Sequence, residues 1–309
     1  MKERIVIGTR GSKLALYQAN WTAEVIRAAY PQKEVVIKEI KTKGDKILDV
    51  ALSRIGDKGL FVKELENELL SGEIDLAVHS MKDLPTELTA GLALGAVSKR
   101  EDVRDALVSR NGFKLDSLPE GAVVGTSSLR RRAQLLAYRP DLQIEDLRGN
   151  VDTRLRKLDE GLYDAIVLAS AGLKRLGFAE RIEEFIAPEI SLPAVGQGAV
   201  GIEIRSDDRD IKEVLTCFHA PEVYQSVLAE RSFLRVLEGG CQIPIGALAR
   251  VKEGQLTVQG VVAGLDGKTV IREAISGSAA EAEALGRQLA EAVLARGAGK
   301  ILDQLREAK

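Results

Sequence analysis

The segment Pro193-Ala194-Val195-Gly196-Gln197-Gly198 is followed by a strand-like run from Ala199 to Ile204, and together they indicate how the chain is connected. Proline and glycine interrupt regular structure, so the first part of this stretch is predicted to be a connector. Two similar α/β units precede it along the chain. We therefore predict that the chain crosses back here from the second unit to the first.

Both units alternate short strands with helices, which predicts mainly parallel sheets that are covered on both faces. Apolar residues alternate in the strands and recur with helical spacing in the helices. The predicted strands are Ile5 to Ile7, Val35 to Ile40, Asp75 to Val78, Ala122 to Val124, Gln143 to Leu147 and Ala165 to Leu168, and the predicted helices are Leu14 to Ala29, Phe61 to Leu69, Leu129 to Tyr138 and Val151 to Glu160.

The C-terminal part of the chain has a different pattern. A helix is predicted from Pro221 to Leu237, and an Ala/Glu/Leu-rich helix closes the chain. Between them, Asp266-Gly267 joins two strand-like runs and is a strong signal for a β-hairpin. We therefore predict two α/β domains and a third, α+β domain. Domain 1 comprises residues 1–98 and 199–216, domain 2 comprises 99–198, and domain 3 comprises 217–309.

The composition limits the class of protein. The chain has 309 residues, of which 45% are hydrophobic and 29% charged, and these are ordinary values for a soluble globular protein. Only Cys217 and Cys241 are cysteines, and no apolar export segment opens the sequence, which predicts a reducing, cytoplasmic location. His79 and His219 are too few to build a metal site. A net charge of −2 indicates no general attraction to nucleic acid, and no apolar run is long enough to span a membrane.

Loops rich in small and basic residues follow the predicted strands. In open α/β sheets ligands bind at the carboxyl ends of the strands, where helix N-termini and arginine side chains favour anions. The loops are Thr9-Arg10-Gly11-Ser12, His79-Ser80-Met81-Lys82-Asp83, Gly125-Thr126-Ser127-Ser128-Leu129-Arg130-Arg131-Arg132, Arg148-Gly149-Asn150 with Arg154, and Ser170-Ala171-Gly172 with Lys174 and Arg175. They predict a cleft lined with cations and a ligand that carries many negative charges.

Four features leave alternatives open. Asp83, the lone acid of these loops, is either a helix N-cap or ion-pair partner, or a carboxylate that stabilises a developing positive charge or moves protons. His79 ends an apolar strand and is predicted to be a core residue. The segment from Lys41 to Gly59 is either a mobile lid or an ordinary surface loop. Cys241, in Glu238-Gly239-Gly240-Cys241, is either a small buried hydrophobe or a thiol that glycines leave open to close approach.

Taken together, these residues resemble the porphobilinogen deaminase family, whose members are also called hydroxymethylbilane synthases. The resemblance extends through nearly the whole chain and rests on many motifs in the same order. They are Gly8-Thr9-Arg10-Gly11-Ser12, Lys58-Gly59-Leu60-Phe61-Val62-Lys63-Glu64, His79-Ser80-Met81-Lys82-Asp83-Leu84-Pro85, Gly125-Thr126-Ser127-Ser128-Leu129-Arg130-Arg131, Leu147-Arg148-Gly149-Asn150-Val151, Pro193-Ala194-Val195-Gly196-Gln197-Gly198 and Glu238-Gly239-Gly240-Cys241-Gln242-Ile243-Pro244-Ile245-Gly246.

The resemblance implies a transferase of porphyrin, haem and other tetrapyrrole biosynthesis. Such an enzyme joins four porphobilinogen molecules head to tail, releases one ammonia for each, and yields the linear tetrapyrrole hydroxymethylbilane. Its cofactor is a dipyrromethane held by a thioether to the cysteine that matches Cys241. The implied fold has two α/β domains like those of type II periplasmic binding proteins, with a hinged cleft, and a third domain that carries this cysteine. A cytoplasmic monomer that binds neither nucleic acid nor membrane is expected.

The resemblance also implies roles for single residues. Asp83 is expected to be the catalytic carboxylate, which stabilises the cationic methylene-pyrrolenine left when ammonia departs. The expected cofactor-binding residues are Cys241, Lys82, Ser128, Arg130, Arg131 and Phe61, and the expected substrate-binding residues are Arg10, Ser12, Arg148, Arg154 and Arg175. Arg132 is given no ligand, and Cys217 is expected to be structural.

Two other functions are considered. A two-domain polycarboxylate-binding protein without catalysis would account for the arginines and the twin α/β units, but not for Gly239-Gly240-Cys241 in a third domain. A nucleic-acid binder is disfavoured by the net charge and by an aromatic content of only 4%, which leaves few rings for base stacking.

Overall fold

A computed structural model of the chain describes residues 2–42, 62–237 and 243–307. Most of the predicted lid, Lys41 to Gly59, lies outside the described residues, as do Phe61 and Cys241. The described residues form two compact units. The first contains residues 2–42, 62–101 and 198–224, and the second contains residues 102–197, 225–237 and 243–307.

The secondary structure alternates strands and helices until the last third of the chain. In chain order, the strands are β1 Arg4–Thr9, β2 Glu34–Glu39, β3 Leu76–Ser80, β4 Leu92–Val97, β5 Asp105–Ser109, β6 Val123–Gly125, β7 Gln143–Glu145, β8 Ala165–Ala169, β9 Glu184–Ile186, β10 Val200–Arg205, β11 Ile245–Lys252, β12 Gln255–Ala263 and β13 Val270–Ser278. The helices are α1 Lys13–Ala29, α2 Lys63–Leu70, α3 Leu129–Tyr138, α4 Val151–Asp159, α5 Ser170–Arg175, α6 Arg209–Val214, α7 Pro221–Val236, α8 Ala282–Ala295 and α9 Ala298–Glu307.

The first unit is built on a five-stranded sheet of order β2-β1-β3-β10-β4. The β10 strand follows the Pro/Gly connector, so the predicted return of the chain to the first unit is confirmed. The pairs β1–β2 and β1–β3 are parallel, whereas β10 runs antiparallel to both β3 and β4. The sheet is therefore mixed and not mainly parallel as predicted, because the returning strand enters it in the opposite direction.

A second five-stranded sheet, of order β7-β6-β8-β5-β9, repeats this arrangement in the second unit. Its β6 strand pairs in parallel with β7 and β8, and β5 lies antiparallel between β8 and β9. The two sheets thus share one topology, with a single antiparallel strand inserted at the same place. Two sheets of one topology are in keeping with the twin α/β units predicted from the sequence.

The second unit also contains the three-stranded antiparallel sheet β11-β12-β13. Helices α7, α8 and α9 cover it, and Phe233 of α7 is fully buried in the shared core. Gly260 of β12 is needed here, because a Cβ on it would lie 2.5 Å from the Phe233 ring.

The predicted hairpin is confirmed, with Gly267 in the left-handed region at φ +73°. The prediction of a single closing helix is wrong, since the helical structure is interrupted at Gly297, between α8 and α9.

The described helices include none that is both long and apolar enough to cross a membrane.

Candidate active site

In the first unit, two loops with basic residues lie at one edge of the sheet. Strands β1 and β3 are parallel neighbours, so Thr9 and Ser80 end them at the same edge. Helix α1 follows the first of these loops and contacts the end of β3, where the second loop begins. The Gln18 side chain of α1 contacts Ser80 Oγ at 3.0 Å through Nε2 and at 3.2 Å through Oε1. This arrangement brings Arg10, Ser12, Lys82 and Asp83, all predicted site residues, to one edge of one sheet.

Asp83 ends the 3-10 turn Met81–Asp83 that follows β3. Its side chain is exposed, and no hydrogen bond or ion pair joins its carboxylate to another described residue. Ser80, and not Asp83, stands at the N-cap of this turn. The two structural roles considered for Asp83, N-cap and ion-pair partner, therefore receive no support, and its carboxylate is left accessible.

The serines of the predicted site stand at helix starts. Ser12 caps α1, where its Oγ accepts a hydrogen bond from the Ala15 N–H at 3.3 Å, and Ser128 caps α3 by accepting from the Arg131 N–H at 3.4 Å. A capping hydroxyl still has its own O–H to donate. Each serine thus combines an O–H that donates to no described residue with the positive end of a helix dipole, and both favour a carboxylate.

In the second unit, the loops after β6, β7 and β8 also share an edge, because these three strands are parallel neighbours. Ser127 Oγ donates to the Leu147 carbonyl at 2.9 Å and so joins the loops after β6 and β7. Arg154 Nε donates to the Gly149 carbonyl at 2.7 Å. Arg148 stands between β7 and α4, and its Nη1 is buried without a partner among the described residues. Arg175 ends α5, after β8.

Arg130 and Arg131, in the first turn of α3, are buried, with exposed fractions of 4% and 5%. Both form ion pairs with the fully buried Asp105 at 2.8 Å. Burial alone opposes ionisation of this carboxyl, but the two guanidinium groups outweigh it and hold the pKa of Asp105 well below its usual value. Burial also lowers the pKa of Arg130, against the opposing effect of Asp105. The structure thus gives these arginines a partner in the protein, and their contact with the cofactor stays a prediction.

Comparison with known proteins identifies the family. The family model described as "Porphobilinogen deaminase, dipyromethane cofactor binding domain" matches residues 5–213, and "Porphobilinogen deaminase, C-terminal domain" matches residues 224–295. The chain belongs to the porphobilinogen deaminase family. The porphobilinogen deaminase of Desulforudis audaxviator is 60% identical over 307 residues, which cover 99% of each chain. That of Pelotomaculum thermopropionicum is 55% identical over 307 residues, covering 99% of this chain and 98% of that protein.

A solved structure, the periplasmic aliphatic sulphonate binding protein SsuA from Escherichia coli, aligns with a TM-score of 0.41 at 14% identity. The alignment covers 77% of this chain and 71% of that protein.

Membership in the porphobilinogen deaminase family makes the chain a transferase of tetrapyrrole biosynthesis that uses a dipyrromethane cofactor, and a binding protein without chemistry is not favoured. The described residues fit such a cofactor. Arg130 Nε and Arg148 Nη1 are buried N–H groups without an acceptor among the described residues. Because buried donors are normally satisfied, they match a ligand that carries acetate and propionate groups.

Sequence reasoning missed several buried acids, of which two pair with side chains that it singled out. One of the two is Asp105. The other is Glu203 of β10, which is fully buried with its Oε2 3.2 Å from His79 Nε2. The prediction that His79 is a core residue is confirmed, since its exposed fraction is 6%. One signal for Asp105 was present: Arg130, Arg131 and Arg132 are consecutive, so in a helix that packs on a sheet at least one of them turns inward and needs a counter-charge. Cys217 is a free cysteine that is exposed as a residue. Partial burial of its thiol group raises the pKa of that thiol.

Proposed function

We propose that Asp83 is the catalytic carboxylate with which this porphobilinogen deaminase joins four porphobilinogen molecules and releases ammonia at each addition. The observation that carries the proposal is the exposed carboxylate of Asp83, which bonds to no described residue and lies on the sheet edge that also holds Arg10 and Ser12. Loss of ammonia leaves a cation on the substrate, and a fixed carboxylate near that carbon stabilises it. The same group can accept the proton that leaves when the new bond forms.

The basic residues have a binding role in this proposal. Each pyrrole carries an acetate and a propionate, so the growing chain needs donors from several loops. Substrate carboxylates are assigned to Arg10 and Ser12 in the first unit and to Arg148, Arg154 and Arg175 in the second. Support comes from the positions of these residues at strand ends and helix starts, and from the buried Arg148 Nη1 that has no acceptor among the described residues.

The cofactor-binding set is proposed to be Lys82, Ser128, Arg130, Arg131 and Phe61, with Cys241 as the attachment point. When it is bound through a thioether at Cys241, the dipyrromethane supplies the primer to which new pyrrole units are joined. Ser128 contributes an O–H donor above the capped start of α3, and Arg130 contributes a buried Nε–H. Lys82 stands beside Asp83 in the 3-10 turn. Phe61 and Cys241 lie outside the described residues and are assigned from the family motifs.

We further propose the three domains predicted from the sequence, with the boundaries given above, and a monomer in the cytoplasm. Three separate sheets support the three domains, and each sheet has its own apolar core. The free thiol of Cys217 is in keeping with a reducing compartment. Light scattering coupled to size exclusion tests the monomer, whose expected mass is near the 33.4 kDa of the chain.

The experiment that tests the function compares Asp83→Asn with Asp207→Asn. Asp207 is an exposed aspartate of the same unit outside the proposed site. We expect both variants to show, by intact-protein mass and peptide mapping, two linked pyrrole units on Cys241. Turnover should fall by at least about a hundredfold in Asp83→Asn alone, as for loss of a group acting in proton transfer. Wild-type protein that gains no mass from porphobilinogen would refute the proposal, and near-normal turnover of Asp83→Asn would refute the role of Asp83.

A further inference from the structure

The carboxylate of Asp105 accepts far more hydrogen bonds than that of an ordinary ion-pair partner. Asp105 is the first residue of β5 and is fully buried. Six hydrogen bonds converge on its carboxylate, and their donors lie on one helix and one connector. They come from Arg130 Nη1 at 2.8 Å and Nη2 at 3.2 Å, Arg131 Nε at 3.0 Å and Nη2 at 2.8 Å, Ser191 Oγ at 3.0 Å and Gln197 Nε2 at 2.9 Å. A carboxylate has about four lone-pair directions, so its acceptor capacity is filled.

The charges of this cluster do not cancel. Arg130 and Arg131 carry two positive charges, and Asp105 is the one acid among the described residues that forms an ion pair with either of them. The other acceptors are neutral, namely the Leu192 carbonyl and Ser191 Oγ for Arg130 and the Val167 carbonyl for Arg131. The buried cluster therefore has a net charge of +1. A buried uncompensated charge is unfavourable, so the cluster favours one anionic group from outside the protein.

The cluster lies at the edge where the candidate site is built. Asp105 pairs with Ala169, the last residue of β8, and is therefore level with the carboxyl ends of the parallel strands. The Arg131 N–H also bonds to Ser128 Oγ at the start of α3. The guanidinium groups held by Asp105 thus belong to the first turn of the helix that a proposed cofactor-binding serine caps.

We infer that Asp105 is a positioning residue for the anionic cofactor. It fixes the two guanidinium groups in one arrangement and cancels one of their two charges. A single positive charge remains, in a set geometry, for one cofactor carboxylate. This inference rests on the proposed function, in which Arg130 and Arg131 bind the cofactor, and it adds a residue that does not itself contact the ligand.

The test compares Asp105→Asn with Asp75→Asn as purified full-length proteins. Asp75 is a matched control because it is also a buried aspartate that bonds an arginine, Arg205 at 3.3 Å, and a backbone N–H, that of Val6 at 2.8 Å. It precedes β3 and so lies at the sheet edge opposite the loop that carries Asp83. The readouts are the fraction of folded protein that carries the dipyrromethane mass and the rate of mass gain after porphobilinogen is added.

We expect both variants to unfold at lower temperature than the wild type. Asp105→Asn alone should lose at least tenfold in the loaded fraction or in the loading rate, when both are measured well below its unfolding temperature. If Asp105→Asn does not fold, Asp105→Glu is used to test the inference. This variant keeps the negative charge, but its longer side chain displaces both guanidinium groups. It should also load at least tenfold more slowly than the wild type. Loading of the folded variant within twofold of Asp75→Asn overturns the inference. Failure of the wild type to load overturns the proposed function instead.

Discussion

At the scale of the residue, Arg148 holds an N–H group for which the described residues provide no acceptor. Its Nη1 is buried and bonds to no described residue, although the backbone carbonyl of Arg148 accepts from Lys157 Nζ at 3.3 Å. An unsatisfied buried donor costs about 1–3 kcal/mol. Such a group reduces the free energy of unfolding unless a ligand oxygen accepts from it, which is how binding sites commonly trade stability for function.

We therefore predict opposite effects of Arg148→Met on stability and on substrate binding. The free energy of unfolding, from urea titration followed by circular dichroism, should be unchanged or rise by up to about 2 kcal/mol. The KM for porphobilinogen should rise at least tenfold, because a donor to a substrate carboxylate is lost. Arg156→Met is the control, since Arg156 is exposed on α4 and pairs with the exposed Glu160. A variant that loses stability and keeps its KM would contradict this account of Arg148.

At the scale of the element, helix α3 shows what the sequence could and could not predict. Its bounds, Leu129–Tyr138, agree with the prediction because helical spacing of apolar residues is a local pattern. The partner of its two arginines was not predicted. Asp105 lies 25 residues before Arg130, and the sequence places it at the end of a charged stretch, whereas it begins the buried strand β5. Strand pairing between β5 and β8 is non-local, so no short pattern encodes it.

Other omissions have the same cause. The strands β4, β5, β9 and β11 were not predicted, and β5 is buried along its whole length and so lacks the alternation that marks a half-exposed strand. The positions of the predicted site residues in the fold were easier to predict, because loops at strand ends follow from strand positions, while the roles of these residues stay a prediction. The structure brings Arg10, Ser12, Lys82 and Asp83 to one edge and Ser128, Arg148, Arg154 and Arg175 to another, each within its own unit.

A second prediction at this scale concerns the contact between α3 and β13 inside the second unit. Arg272 of β13 donates to Gln134 Oε1 of α3 at 2.9 Å and to the carbonyls of Pro188 and Ile190. Burial lowers the pKa of Arg272. Arg272→Met leaves three acceptors without this donor, so we expect the free energy of unfolding to fall by about 1–3 kcal/mol.

Arg250→Met is the matched control for this prediction. Arg250 lies on β11 of the same sheet and is exposed, and surface substitutions of this kind change stability by about 0.5 kcal/mol at most. Urea titrations of the two variants provide the comparison. Equal stabilities would show that the contact between Arg272 and Gln134 contributes nothing measurable.

At the scale of the whole molecule, folding makes several groups in both units harder to protonate. In the first unit, burial lowers the pKa of His219. Burial by itself would raise the pKa of Asp208, but the hydrogen bonds that its carboxylate accepts from the Ile211 N–H and from Arg205 lower it below the usual value. In the second unit, arginine partners lower the pKa of Asp102 and Asp105. A group with a lowered folded pKa binds protons more readily in the unfolded chain. Stability is therefore lost as the pH falls, first near the unfolded histidine pKa of about 6.5 and then below that of aspartate, about 3.9.

We accordingly predict that the free energy of unfolding is highest between about pH 7 and pH 8 and falls in two steps on acidification. The first step belongs to His219, whose Nδ1 accepts from the Val97 N–H at 3.4 Å and cannot do so when protonated. Trp21, the single tryptophan of the chain, packs 5.0 Å from the ring of Phe218 and reports unfolding of this region by fluorescence. Urea titrations between pH 8 and pH 3 should show the first step in the wild type and not in His219→Gln, while the acid step below about pH 4 persists in both. A first step of equal size in His219→Gln would assign it to a different group, and stability that rises on acidification would contradict the sign of all four shifts.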